Sequence, residues 1–359
     1  MDDVRIGIVG SGFVAEIHAD SIARHVRGAR VEAVASPTPG HAEGFAARHG
    51  IPHHFHDWRA LLELGSIDAV LVACPNDTHR AVTVAAAEAG KHVICEKPLA
   101  RSLSEADEMM QACSRSGVLL LYAEELCFAP KYVRMKQLLD EGAIGKPYLI
   151  KQSEKHDGPH AGWFWDVDRS GGGVALDMGC HALMFFRWLL DRAPAESVYA
   201  DMGTFVHGGR TRGDDNSILV TRFAGGVQTI AEESWAKPGG MDDRAEVYGS
   251  EGVIYADLLH GNSLECYSER GYGYAVEKAG ATQGWTFAIF EEAWNYGFPQ
   301  EIQHFVECIA NGTRPVCTGE DGRVVLEILF AAYESARTGC RIALPYEPKT
   351  DTPHAEWTR

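Results

Sequence analysis

Val4-Arg5-Ile6-Gly7-Ile8-Val9-Gly10-Ser11-Gly12-Phe13-Val14-Ala15 is the stretch whose reading decides the fold. An apolar run of strand length meets Gly-x-Gly-x-x-Ala, and a helical pattern continues through Ile22-Ala23. Gly10 permits the tight turn, Gly12 lets backbone approach a pyrophosphate, and the small Ala15 lets the helix pack close to the strand. Phosphate oxygens then sit on the unpaired N–H groups of the first helical turn. Ser11, Phe13 and Val14 complete that loop, and the pattern predicts a dinucleotide-binding unit.

Outward from this stretch, strand and helix alternate. Arg30 to Ala35 is the second strand. In an NAD-binding unit this strand usually ends in an acid for the adenosine ribose. Here Ser36-Pro37-Thr38-Pro39 follows instead. No acid stands there to repel a 2′-phosphate, and no Arg follows closely to bind one. Ser36, Thr38 and His41 are therefore the candidates for the ribose end, and NAD versus NADP stays open.

Helices are expected over Phe45–Gly50 and Trp58–Leu62, then a strand over Ile67–Ala73. Pro75, Asn76 and His79 lie just past that strand's carboxyl end, where open α/β sheets bind ligands. The strand His92–Cys95 runs into Glu96-Lys97-Pro98 on the same edge. A lysine there can donate to a substrate hydroxyl, and a desolvated lysine changes pKa readily. A helix over Ser104–Ser116 and a strand over Val118–Tyr122 complete a parallel sheet with helices on both faces.

From about Glu124 the pattern changes. Tyr132–Glu141 reads as helix and Leu149–Glu154 as strand. The loop His156-Asp157-Gly158-Pro159-His160-Ala161-Gly162-Trp163-Phe164-Trp165-Asp166 mixes aromatic faces with polar groups. That mixture suits a sugar ring, which has apolar C–H faces and polar edges. His156, His160, Trp163 and Trp165 are its candidate substrate contacts. His156 and His160 sit four apart, but in a Gly-Pro loop without a completing ligand set, so no metal is expected.

Gly171-Gly172-Gly173 then leads into a helix expected over Val174–Leu190. Asp177 and His181 are four apart, so one helical face carries both. Near a helix start the dipole disfavours an imidazolium. A carboxylate beside a neutral histidine is a base with its orienting partner.

Six strands are expected next: Val198–Phe205, Ser217–Phe223, Val227–Trp235, Arg244–Tyr248, Gly252–Ala256 and Ser263–Tyr267. Strands without intervening helices imply a mostly antiparallel sheet, one face under helices and the other free for another subunit. Two helices, Gln300–Asn311 and Glu320–Thr338, close the pattern.

The chain has 359 residues, enough for two domains, expected as 1–123 and 124–359. Hydrophobic residues make up 45% and charged residues 23%, the make-up of a soluble globular protein. A net charge of −17 argues against nucleic acid or an anionic membrane as partner. The nine cysteines form no C-x-x-C pair, which predicts reduced thiols. No signal-like segment or apolar run of membrane length stands out, so a cytoplasmic protein is expected.

Taken together, the chain resembles the Gfo/Idh/MocA oxidoreductases, typified by glucose-fructose oxidoreductase and inositol dehydrogenase. The likeness rests on Gly10 to Ala15, Pro75-Asn76-Asp77-Thr78-His79, Glu96-Lys97-Pro98, Gly171 through His181, and Val247-Tyr248-Gly249-Ser250-Glu251-Gly252, in that order. It implies a Rossmann domain followed by an α/β domain on an open, mostly antiparallel sheet. The sheet's free face would form a homodimer or homotetramer.

The family's chemistry is hydride transfer between nicotinamide C4 of NAD or NADP and a carbon bearing a sugar or polyol hydroxyl. By the same resemblance, Lys97 and His181 lie at the reacting hydroxyl and Asp177 orients substrate and histidine. Glu96 and Lys97 approach the nicotinamide side, and Asn76 and His79 the cofactor. The Lys97–Pro98 peptide is often cis in such proteins.

Two departures stand out. Ser36-Pro37 matches neither the Asp nor the Ser-Arg pattern of the family. Glu124-Glu125-Leu126-Cys127-Phe128 replaces a common Arg-Phe pair, so Glu124 is read either as a contact to sugar hydroxyls or as structural. Two other functions stay open on this fold: redox-neutral cleavage of a glycosidic bond through transient oxidation, and non-catalytic sensing.

Overall fold

Val4–Val9 forms strand β1, and its neighbours show why the run is so apolar. It pairs in parallel with β2 (Ala29–Ala35) and with β4 (Ala69–Val72). The computed structural model describes residues 3–260, 264–269, 271, 277–288 and 291–359. With β3 (His53–Phe55), β5 (His92–Cys95) and β6 (Leu120–Tyr122), these strands make a parallel sheet ordered β3-β2-β1-β4-β5-β6. Every residue of β4 is buried, as expected for a strand covered on both faces. The order reverses at β1, so Gly10 stands at the topological switch point.

This sheet belongs to the first of two compact units, Met1–Glu125 together with Gly297–Leu326. The second segment departs from the expected boundary after residue 123. The helix Phe298–Asn311 buries Ile302, Phe305 and Val306, one helical face, within this unit. Gln303 Oε1 accepts the Arg27 N–H at 2.8 Å. Tyr122 N–H donates to the Cys317 carbonyl at 3.2 Å, extending the edge of β6. Periodicity announces such a helix but does not say which sheet it covers.

The second unit is Leu126–Tyr296 with Glu327–Arg359. Its strands are β7 (Pro147–Lys155), β8 (Ala195–Gly203), β9 (Asn216–Phe223), β10 (Gln228–Ser234), β11 (Asp242–Gly249) and β12 (Val253–Asp257). A separate pair follows, β13 (Leu264–Ser268) with β14 (Gly284–Ala288), and β15 (Ile342–Ala343) edges the large sheet. The sheet runs β12-β11-β7-β10-β9-β8-β15, antiparallel except where β7 meets β10. Ser263, expected in a strand, lies outside the described residues.

Two expectations are corrected here. The strand expected to reach Phe205 stops at Gly203. The Asp215 carboxylate accepts the N–H groups of Phe205, Val206 and His207, drawing them off the ladder. The single helix expected over Val174–Leu190 is two, Val174–Asp177 and Gly179–Leu189. Met178 N–H still bonds to the Val174 carbonyl, but His181 N–H turns back only to Met178. Met178 itself is packed with Val174 and Trp235 in a buried cluster. Asp177 and His181 therefore end one short helix and begin the next.

Among the described residues no helix is long and apolar enough to cross a membrane. The Lys97–Pro98 peptide is cis.

Candidate active site

In the first unit the glycine loop is built for close approach. Gly10 has φ +125°, and a Cβ there would lie 1.9 Å from the Ala73 carbonyl oxygen. At Gly12 nothing lies within 4 Å of where a Cβ would stand. Gly12 is also the N-cap of the helix Phe13–His25 and supplies no side-chain cap. Open space beside uncapped helix N–H groups fits the diphosphate of a dinucleotide.

Ser11 Oγ donates to Ser36 Oγ at 2.9 Å, tying this loop to the end of β2. Thr38 and His41 are exposed, joined by the His41 N–H on the Thr38 carbonyl. Pro75 caps the helix Asn76–Glu88, and Asn76 is buried at its first position. His79 is buried on the same helix. Its Nδ1 lies 3.1 Å from the Pro98 carbonyl and its Nε2 2.9 Å from that of Cys74. Burial pushes its pKa down despite those carbonyls.

Acids gather around the lysine. Glu96 is buried, with one oxygen on His18 and the other accepting the Lys97 N–H at 3.2 Å. Burial drives the Glu124 carboxyl up to about 8; Lys97 pulls it back and Glu96 pushes it further. It therefore holds its proton at neutral pH. Glu301, whose carboxylate accepts the Glu124 N–H, is pushed well up by burial and by Glu125. His18 and Glu301 escaped the sequence reading. A signal for His18 existed: it interrupts the apolar stripe Ala15, Ala19, Ile22 with an ionisable ring.

In the second unit Asp177 and His181 are both buried. Asp177 Oδ2 accepts Trp235 Nε1–H at 3.2 Å. The glycine run before it is explained by contact. A Cβ at Gly173 would lie 2.1 Å from the Asp214 carbonyl oxygen, and one at Gly172 would lie 2.7 Å from Tyr333 Oη. The Asp214 carboxylate accepts the N–H of Gly173 at 3.2 Å, the N–H of Ala175 at 2.7 Å and the Tyr333 hydroxyl at 2.6 Å. It anchors the short helix that carries Asp177.

The aromatic loop folds onto the same place. Trp163 stacks on Phe164 at 3.7 Å, and Phe164 and Trp165 meet Trp235 edge-on. The Arg210 guanidinium lies over Trp165 at 4.3 Å. His156 and His160 have ring centroids 5.2 Å apart, and His160 Nδ1 pairs with Glu277 at 2.8 Å. Lys278 Nζ donates to the carbonyls of Gly158 and Pro159 at 2.8 and 3.1 Å. Trp235, Glu277 and Lys278 were not singled out from sequence, because their partners are over fifty residues away.

His156 gives a testable pH dependence. Burial, aided by His160, holds its pKa down at about 3, with Asp177 pulling weakly the other way. At pH 7 the ring is neutral folded and unfolded. Below about 6.5 only the unfolded chain takes up the proton, so acid favours unfolding, by about 2 kcal/mol at pH 5. His156→Gln is expected to remove that share of the stability lost between pH 7 and pH 5. Urea unfolding at both pH values checks it; equal losses in variant and parent would refute it.

With this geometry in view, comparison with known proteins is informative. Residues 4–124 match the family model described as "Oxidoreductase family, NAD-binding Rossmann fold", and residues 132–255 the "GFO/IDH/MocA C-terminal domain". The scyllo-inositol 2-dehydrogenase (NAD(+)) of Bacillus subtilis is 31% identical, covering 95% of this chain and 96% of its own. The myo-inositol 2-dehydrogenase of Thermotoga maritima is 28% identical over 92% and 96%. Among solved structures, GenD2 from gentamicin A biosynthesis, in complex with NAD, superposes with a TM-score of 0.91. It is 28% identical over 96% of this chain and 97% of its own.

Proposed function

We propose that this chain, which belongs to the Gfo/Idh/MocA oxidoreductase family, is an NAD(P)-dependent dehydrogenase of a cyclic polyol, sugar or glycoside. The observation that carries the reading is an open, uncapped glycine loop and a Glu-Lys pair on the carboxyl edge of one parallel sheet. Inositol dehydrogenases among the relatives support the substrate class.

A bound NAD or NADP would supply the hydride acceptor, and Gly10, Ser11, Gly12, Phe13 and Val14 would hold its diphosphate. Ser36 receives the adenosine ribose. His181 takes the proton of the substrate hydroxyl as general base. Lys97 donates a hydrogen bond to the same oxygen and stabilises its developing charge. Asp177, fixed by the Trp235 N–H, orients the substrate. Glu124, protonated at neutral pH, offers a hydrogen bond without adding a charge. His156, Trp163 and Trp165 supply the wall against which a ring's C–H face packs.

We also read the second sheet's uncovered face as the contact to another copy of the chain. Tyr199 and Ile218 are exposed on strand positions alternating with buried ones, and Val253 and Tyr255 are exposed on the edge strand β12. The buried free thiols Cys95, Cys113, Cys127 and Cys180 support a reducing, cytoplasmic setting.

The test is a panel of inositols, sugars, amino sugars and glycosides with NAD and NADP, followed at the absorbance of reduced nicotinamide. Accumulation of reduced cofactor with one class is expected. Cleavage of a glycosidic bond with no net absorbance change would sink the dehydrogenase reading in favour of a redox-neutral one.

A further inference from the structure

His18 is fully enclosed on the inner stripe of the helix Phe13–His25. Its ring stands edge-on to Phe298, with centroids 5.5 Å apart. Nε2 lies 2.5 Å from Glu96 Oε1, while the Lys97 N–H reaches Glu96 Oε2. One carboxyl group is thus gripped between the helix of the dinucleotide loop and the residue that bears the ammonium.

The ionic forms around it are asymmetric. Burial works against a charge on Glu96, but the His18 hydrogen bond, the His18 field and Lys97 outweigh it. The carboxyl stays below the ordinary range. Glu124, after β6, is pushed up to about 8 and holds its proton at neutral pH, and Glu301, on the helix Phe298–Asn311, is pushed up by burial and by Glu125. Glu125 is buried and faces Glu301. His79, on the helix Asn76–Glu88, is pushed down. Glu96 is therefore a carboxylate that keeps its charge beside Lys97. An ionised oxygen only accepts, so His18 Nε2 carries the hydrogen.

We propose that His18 is a positioning residue for Lys97: by holding the Glu96 carboxylate in place it keeps an ammonium, not an amine, at the carboxyl edge of the sheet. The importance of that ammonium rests on the dehydrogenase reading above. Without the His18 N–H, a buried Glu96 takes up a proton, and the lysine loses its counter-charge.

Competitive acetylation of the full chain with acetic anhydride across pH, read at Lys97 by peptide mass spectrometry, reports this amine without turnover. His18→Phe keeps a ring against Phe298 and removes the N–H. The midpoint of Lys97 labelling is expected to fall by about one pH unit or more. The alkaline limb of kcat should move with it, while KM for the substrate changes less. His18→Gln, whose amide nitrogen reaches near the Nε2 position, is expected to restore both. Should His18→Phe not fold, His18→Asn, too short for Glu96, takes its place with the same expected shift.

A midpoint within about 0.3 unit of the parent in the Phe or Asn variant overturns the proposal. So does a Gln variant shifted as far as the Phe variant. A parent protein that reduces no cofactor overturns the dehydrogenase reading instead, and the labelling still decides the role of His18.

Discussion

Lys97→Met is expected to lower turnover at least about a hundredfold, the low end of what a lost proton-handling group costs. Methionine keeps most of the length and apolar stem of lysine, so the change removes chiefly the ammonium. Its neighbours make the loss specific. Glu96 is held as a carboxylate partly by Lys97, and Glu124 is kept from a still higher pKa by the same charge. Neither acid offers a cation in its stead. Affinity for the cofactor, measured by fluorescence quenching, should fall much less than turnover, because Gly10 to Val14, which hold the diphosphate, are unchanged. Turnover within about threefold of the parent would defeat the assignment of Lys97.

The second large effect is on stability. Gly10→Ala is expected to cost about 3 kcal/mol or more, because φ +125° is hostile to any side chain and the new Cβ meets backbone. The atom it meets is the Ala73 carbonyl oxygen, main chain of the loop after β4, which no rotamer change can move. Calorimetry should show the transition lowered by roughly 6–12 °C, or the first unit unfolding separately. The same substitution at Gly12, which faces open space, should leave stability nearly unchanged and weaken dinucleotide binding instead. A Gly10→Ala protein melting within about 2 °C of the parent would show that the loop is not the tight crossing described.

Much of the fold was legible because it is written in local periods. Short apolar runs followed by helical stripes gave the parallel sheet, and alternation such as that of β7 gave the second one. The residues that brace the site were less legible, since their partners are remote. His18 and Glu96 are 78 residues apart, and Gly173 and the Tyr333 hydroxyl 160. A glycine run announces close approach but not what approaches. The break at Met178 was invisible for a different reason. The apolar pattern continues across it, although Gly179 weakens the helix there, and Met178 is packed against Val174 and Trp235. The place of His79 past a strand end is legible, but not the Pro98 and Cys74 carbonyls beside its ring. The Glu124–Glu125 pair is legible as a departure with two readings, sugar contact or structure, but not its burial or the charge of Lys97 acting on Glu124.

The return of Gly297–Leu326 to the first unit bears on how the protein is made. The helix Phe298–Asn311, whose Phe298 meets His18, lies far beyond the glycine loop in the chain and is synthesised well after it. Until then the nascent sheet shows a bare apolar flank at Phe13–His25 and an unpaired edge beyond Tyr122. The sheet around the glycine loop therefore completes its packing only when the segment after Tyr296 has been translated. Fragments cut near residue 125 should precipitate where the full chain does not.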